Sequence, residues 1–241
     1  MFSIIGITGR VGGGAASRLL GMGKQVRAVV RDEAKGQVWA SEGASVAVAD
    51  MTDGDGLGRA IAGSEAVFVM LPPLFDPSPG FPEAKALINS LSAALRQSEA
   101  KRIVALSTIG AHVTRPNLLN GLHMMEESFR QLPMPVTFLR PGWFMENHAG
   151  DVSSAISEGI IHSYLQPIEH AIPMIATKDI GALAGTLLLE SWSGKRVVEL
   201  EAKTRVSSAD IAATLTDILG KSVKRSRFHE LDGKRSFALK V

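Results

Sequence analysis

The chain has 241 residues, 45% of them hydrophobic and 21% charged, with a formal net charge of +2; a chain of this size buries a large core and needs no more than one domain with an appended lobe. It contains no cysteine, which excludes disulfides, thiolate nucleophiles and Cys-based metal sites. Its apolar runs are short and broken by Gly, Pro or charge, and the first begins at Phe2 with no basic stretch before it, so no membrane span or leader is expected and the protein is read as cytoplasmic.

The first strand, FSIIGI, runs into GITGRVGGGAA at residues 6–16. The spacing Gly6-x-x-Gly9-x-x-Gly12 between an apolar run and AASRLLGMG predicts a strand, a turn and a helix start. In such a unit the first glycine permits the tight turn, the second lets backbone approach a pyrophosphate, and the third allows close helix–strand packing. The helix start then offers free N–H groups and a partial positive charge. Glycine turns also join strands to helices without a ligand, but this one closes the first strand of a long α/β series, which favours a dinucleotide. The candidate cradle is Gly6, Thr8, Gly9, Arg10, Val11 and Gly12. Gly13 and Gly14 each cost a helix about 1 kcal/mol relative to Ala, and are expected to let it lie close to the sheet.

The second strand, QVRAVV, ends in VVRDEAK. Sites for NAD(H) usually place an acidic residue there to grip the ribose diol, whereas this chain places Arg31 first, then Asp32, with Lys35 one turn on. That order suits the 2′-phosphate of NADP(H) and makes NAD(H) the less favoured cofactor, with Arg10 as a second positive contact. The alternative is that Arg31 and Lys35 are solvated residues at a helix start. The third strand, ASVAVA, leads to Asp50, which either binds the adenine amine or caps the next helix. Met51 after it, and Leu71 and Pro72 at the end of the fourth strand AVFVML, extend the candidate cofactor set. LPPLFDPSPGFP follows as a long irregular loop where ligand crevices of open parallel sheets form.

RIVALS, ending at Ser107 and Thr108, and VTFLR give the fifth and sixth strands. Helical spacing recurs around 12–22, 33–42, 55–63, 82–98 and 118–131. The alternation predicts an α/β fold, a doubly wound parallel sheet of the Rossmann type over residues 1–147. Residues 148–241 are expected to form a smaller α+β substrate lobe, with helices near 148–157, 178–190 and 208–219 and strands near 171–175 and 195–201. The stretch 221–241 carries a net +5, leaving −3 for the rest. Without interleaved aromatics it reads as a solvated, loosely ordered end and not as a nucleic-acid surface.

GITGRVGGGAA, VVRDEAK, ALSTIGA, the helix ending MEESFRQL, LRPGWFMEN and IPMIATKDIGALA together resemble the NmrA-like branch of the atypical short-chain dehydrogenases/reductases, over most of residues 2–220. The resemblance implies a Rossmann core binding NADP(H), and either reduction of small molecules such as quinones or triphenylmethane dyes or non-catalytic sensing of the dinucleotide. It places Ser107 and Thr108 beside the nicotinamide, has Pro141, Gly142, Trp143 and Phe144 wall the nicotinamide pocket, and turns Met145 and Asn147 to substrate. It also implies that a lobe ending at residue 241 is somewhat short.

The wider superfamily uses a Tyr-x-x-x-Lys pair on the helix after the fifth strand. Here the single tyrosine, Tyr164, is followed four residues on by Ile168. Alignment on the helix glutamates puts Leu119 at the Tyr position and His123 at the Lys position. His123 is thus the one candidate catalytic residue, as a ribose ligand or an acid; the alternative is a plain helix histidine paired with Glu126 or Glu127. A metal site built from HMMEE is not expected. Lacking the phenol, the site suits acceptors that take hydride with little proton help, and Leu74, Phe75, Phe81, Trp143, Phe144 and Met145 suit a flat aromatic or conjugated substrate unless they pack the lobe. The expected function is NADPH-dependent reduction of such an electrophile by a monomer or homodimer, the alternative a redox-sensing module; a sugar-nucleotide epimerase would need the missing tyrosine.

Overall fold

The run of short apolar segments resolves into strands, and the structure, a computed structural model, describes residues 1–74, 76–115, 117–165 and 167–227. The first half comprises β1 (Phe2–Ile5), α1 (Arg10–Gly21), β2 (Val26–Val30), α2 (Glu33–Ser41), β3 (Ser45–Val48), α3 (Gly54–Ala60), β4 (Ala66–Met70), α4 (Pro82–Gln97), β5 (Ile103–Leu106), α5 (Asn120–Arg130) and β6 (Val136–Pro141). Then come β7 (Trp143–Phe144), a 3₁₀ turn (Met145–Gly150), α6 (Asp151–Ser157), β8 (Ile160–Ser163), β9 (Met174–Ile175), α7 (Thr177–Leu189), β10 (Lys195–Leu200), α8 (Ser208–Leu219) and β11 (Lys224–Arg227).

Seven of the strands form one sheet in the order β3-β2-β1-β4-β5-β6-β10, and every pair in it is parallel. This is the Rossmann-type architecture expected, and the order reverses between β1 and β4, where ligand crevices open beyond the carboxyl ends of the strands. Burial explains the order. β1, β5 and β6 are buried at every residue, as parallel strands covered on both faces must be, while the edge strands β3 and β10 are only partly covered. Ile5, Val67, Ile103 and Phe138 of the strands belong to one core with Leu57, Leu91, Leu95 and Phe129 of α3, α4 and α5.

The chain divides into two compact units, Met1–Pro141 with Thr177–Leu200, and Gly142–Ala176 with the chain from Glu201. The helix and strand expected near 178–190 and 195–201 therefore fall with the first unit and not with the C-terminal lobe. The reason is physical: β10 extends the sheet beside β6, and α7 packs on α1. Gly14 contributes to that packing, since a Cβ there would sit 3.2 Å from the Gly181 Cα. It brings α1 close to a neighbouring helix and not, as expected, to the sheet.

In the second unit β7 pairs with β9 and β8 with β11, both parallel. Its α8 begins at a capping box, in which the Ser207 hydroxyl accepts from the Asp210 N–H while the Asp210 carboxylate accepts from the Ser207 N–H. Ala155, Ile161, Ala212 and Val223 form a small core. β11 is the basic KRSR segment. Its backbone pairs with β8 in register Lys224↔Ile160 to Arg227↔Ser163, and Lys221 just before it donates to the Ile156 carbonyl, so this part of the tail is not a loose end; Lys234, Arg235 and Lys240 lie outside the described residues. Among the described residues no helix is long and apolar enough to cross a membrane.

Candidate functional site

The glycine turn lies at the carboxyl end of β1, beside the topological switch. Gly6 has φ +80°, a conformation that only glycine adopts without strain. Its carbonyl accepts from the Gly9 N–H at 3.0 Å, and the Gly9 carbonyl accepts from the Gly13 N–H at 2.8 Å, so Gly9 is the residue before α1. A Cβ on Gly12 would lie 2.3 Å from the Gly6 oxygen; the helix start and the turn touch only because that position is bare. The N–H groups of Arg10, Val11 and Gly12 precede the first intrahelical bond, and the first turn of α1 holds no acidic residue. Thr8, Gly9 and Arg10 are exposed, whereas Val11 and Gly12 are buried, which leaves those two only backbone to offer. This cradle fits a diphosphate.

Arg31 is exposed immediately after β2. Asp32 is turned into α2, its carboxylate accepting from the Ala34 N–H at 3.0 Å as the N-cap, and Lys35 is exposed in the first turn. Asp50 Oδ1 accepts from the Thr52 N–H at 2.8 Å and from the Thr52 hydroxyl at 2.7 Å. These bonds, with a smaller contribution from the nearby Arg31 charge, hold its carboxyl below the usual aspartate range. The capping alternative for Asp50 is overturned: α3 starts at Gly54, and the cap is Asp53, which accepts from the Gly56 N–H. Met51, Leu71, Leu74 and Phe81 are partly buried against the core, and Pro72 is half-buried. Packing thus accounts for Leu74 and Phe81; Phe75 lies outside the described residues.

At the ends of β5 and β6 the sheet carries a buried polar network. The Ser107 hydroxyl donates to Glu126 Oε1 at 2.5 Å, and Arg140 donates to both carboxylate oxygens, Nε to Oε1 at 2.8 Å and Nη2 to Oε2 at 2.7 Å. Burial pushes the Glu126 carboxyl up, but the bonds from Arg140 and Ser107 and the charges of Arg140 and Arg130 outweigh it, and the group titrates below the ordinary glutamate range. Ser107, its hydroxyl hydrogen directed to Glu126, presents only lone pairs to a ligand. Thr108 is half-buried beside it.

His123, half-buried on α5, has Nδ1 2.9 Å from the Ala111 carbonyl. A carbonyl only accepts, so Nδ1 carries the hydrogen. Pairing with Glu126 or Glu127 is overturned, because Glu126 belongs to the network above and Glu127 faces Arg130 at 3.3 Å.

Pro141 ends β6 in the first unit. Gly142, Trp143, Phe144, Met145 and Asn147 belong to the second. A Cβ on Gly142 would meet the Pro173 oxygen at 2.5 Å, and the Trp143 N–H donates to that oxygen at 2.9 Å. The Trp143 ring packs against Leu165, Ile172 and Met174, while Met145 and Asn147 are exposed in the 3₁₀ turn. Tyr164, just after β8, is exposed. The sequence reading missed two features: Arg140, an ionic residue within a strand buried at every position, and His148 with Asp151, whose Nδ1···Oδ2 contact is 2.7 Å. The i, i+3 spacing of the second pair was its one visible signal.

The sheet order and the glycine cradle define a dinucleotide-binding α/β protein. The chain belongs to the NAD(P)H-binding family, whose sequence model matches residues 6–163, in keeping with the resemblance to the NmrA-like branch. It is 25% identical over 225 residues to the NAD(P)H azoreductase of Xenophilus azovorans, covering 93% of this chain and 76% of that one. It is 26% identical over 235 residues to quinone oxidoreductase 2 of Escherichia coli (strain K12), covering 96% and 79%. The crystal structure of an NADPH-dependent quinone oxidoreductase from E. coli, complexed with NADPH, shares the fold with a TM-score of 0.83 at 24% identity, covering 95% of this chain and 79% of the other.

Proposed function

We propose that the protein is a cytoplasmic NADPH-dependent reductase that transfers hydride to a quinone-like or other conjugated electrophile without a Tyr-x-x-x-Lys pair. The observation that carries this reading is the pair Arg31 and Asp32: the cation is exposed directly after β2, while the carboxylate that a ribose diol would need is engaged as the α2 cap. Arg31, Lys35 and Arg10 hold the 2′-phosphate end, and the N–H groups of Arg10, Val11 and Gly12 receive the diphosphate. Asp50 and Met51 flank the adenine, and Leu71 and Pro72 line the crevice at the switch.

NADPH, when bound, supplies the hydride. Ser107, fixed by Glu126, and Thr108 would hold the nicotinamide end of the cofactor, and His123 would serve its ribose. The family resemblance would assign Pro141, Gly142, Trp143 and Phe144 to the nicotinamide, and Trp143, Met145 and Asn147 to substrate. A general acid typically contributes about 10²–10⁴-fold, and neither Ser107 nor a helix tyrosine supplies that proton. Quinones and azo compounds, the substrates named for the two relatives, tolerate that absence better than an ordinary ketone does.

The test mixes protein and NADPH with a panel of quinones and azo dyes and follows loss of reduced-nicotinamide absorbance. Oxidation above background, with NADPH preferred to NADH, supports the reading. Tight NADPH binding without oxidation across the panel assigns the chain to redox sensing.

A further inference from the structure

The phosphate cradle accounts for Gly12 in the glycine run of α1, and contact with α7 accounts for Gly14. Successive helical residues point about 100° apart, so Gly13 faces a third neighbour. A Cβ there would lie 3.2 Å from Cζ2 and 3.4 Å from Cη2 of Trp39, and 3.1 Å from the Ile7 oxygen. Gly13 thus lies close to the chain leaving β1 and also admits the indole of α2. That helix is thinly anchored: of its nine residues Gly36 alone is buried, and a Cβ on it would meet Val46 Cγ1 at 2.6 Å. Gly36 fixes the height of α2 above the sheet. The half-buried Trp39 fixes how near α2 stands to α1. It follows Lys35 by four residues, on the same helical face.

Resting on the NADP(H) reading above, we propose that Trp39, seated on Gly13, is a positioning residue for cofactor selection, setting the distance between the diphosphate cradle of α1 and the 2′-phosphate cations at the start of α2. The ligand makes that distance matter. One adenosine joins the diphosphate to the 2′-phosphate, so the protein must offer its two phosphate sites at a matching separation, and each site belongs to a different helix. Charge-assisted bonds to phosphate are short and directional. A shift of a few tenths of an ångström in α2, the amount by which a neighbour must yield to a Cβ at 3.2 Å, lengthens them. NAD(H) carries a hydroxyl in place of the 2′-phosphate and draws chiefly on α1, so its binding is indifferent to where α2 stands. Trp39 acts through the helix that carries Lys35 and follows Arg31.

Calorimetric titration of the full chain with NADP⁺ and with NAD⁺ tests this without turnover entering. G13A puts a methyl against the indole; NADP⁺ affinity is expected to fall about five- to tenfold, and NAD⁺ affinity to change by less than about twofold. W39A removes the strut and should lower NADP⁺ affinity selectively by a similar factor. In G13A/W39F the smaller ring leaves room for the methyl, and the NADP⁺ preference should return to within about twofold of the wild type, a coupling that two independent effects would not give. Melting temperature reports folding, and since alanine is the better helix former, G13A decides the matter should W39A not fold. Equal losses of NADP⁺ and NAD⁺ affinity in G13A, or a loss that W39F does not rescue, would place the effect at the Ile7 oxygen and overturn the proposal. A wild-type preference for NADP⁺ that survives in G13A and W39A would overturn it while leaving the NADP(H) reading intact. A wild type with no such preference would remove that reading, and the proposal with it.

Discussion

Two places along the carboxyl edge of the same parallel sheet handle charge in opposite ways. At the carboxyl end of β1 the chain prepares for an anion with backbone alone: bare glycines, unpaired N–H groups and exposed cations that remain hydrated. At the ends of β5 and β6 it buries a complete ion pair, Glu126 with Arg140, and hangs the Ser107 hydroxyl on it. The first arrangement costs the empty protein little and waits for a ligand. The second is internally satisfied and acts by fixing one side chain, so damage to it is expected to appear in stability and damage to the first in affinity.

E126Q tests the buried pair and carries the largest expected effect. Breaking a buried pair leaves Arg140, whose side chain is 10% exposed, with only the exposed Glu199 carboxylate at 3.6 Å as counter-ion, at a cost of about 3 kcal/mol or more, up to about 5. That corresponds to roughly 6–20 °C in melting temperature for a chain of this size. Replacing both partners, as in E126L/R140M, should recover most of the loss. The pH dependence has a definite sign. The Glu126 carboxyl titrates lower in the folded protein than in the unfolded chain, so its contribution is fully present above the ordinary glutamate range and is lost as pH falls through the lowered value. Melting curves of wild type and E126Q should therefore converge on acidification.

The two places also differ in how far the sequence disclosed them. Glycine spacing, Arg31 before Asp32 and the alternation of short apolar runs are local patterns, and the glycine turn and six of the sheet's seven strands were legible from them. The Glu126–Arg140 pair was not, because α5 and β6 meet only through tertiary packing and no spacing rule joins residues 126 and 140. The same cause moved α7 and β10: their periodicity was visible, but helix contact between Gly14 and Gly181 and pairing of β10 with β6 decide which unit they join. β11 escaped notice because four polar residues, KRSR, carry no apolar alternation, and backbone pairing alone makes them a strand.

G12V probes the glycine turn. Its Cβ would meet a backbone oxygen at 2.3 Å, which no rotamer relieves, so the turn must move. Strain of about 1–3 kcal/mol taken from binding lowers NADP⁺ affinity roughly ten- to hundredfold, read by calorimetry. G9A, whose Cβ would have its nearest neighbour at 3.3 Å, should lose much less. R31A sharpens the cofactor assignment at the next strand: NADPH affinity should fall about tenfold, as for a lost charge-assisted bond, with NADH affinity unchanged. Equal losses for both cofactors would return Arg31 to the role of a solvated helix-start residue.

The smallest expected effect separates structure from recognition at the position next door. D32A removes the N-cap that accepts from the Ala34 N–H, and should cost about 1 kcal/mol, or roughly 2–4 °C in melting temperature. If capping is all that Asp32 does, NADPH affinity stays level or rises slightly as a negative charge leaves the neighbourhood of the 2′-phosphate, and NADH affinity does not change. A carboxylate that grips a ribose diol behaves otherwise, because its removal would weaken NADH selectively. Calorimetry with both cofactors on the one variant therefore decides whether the acidic residue after β2 serves the helix or the ligand, and with it whether this part of the sheet's edge was built for a phosphate.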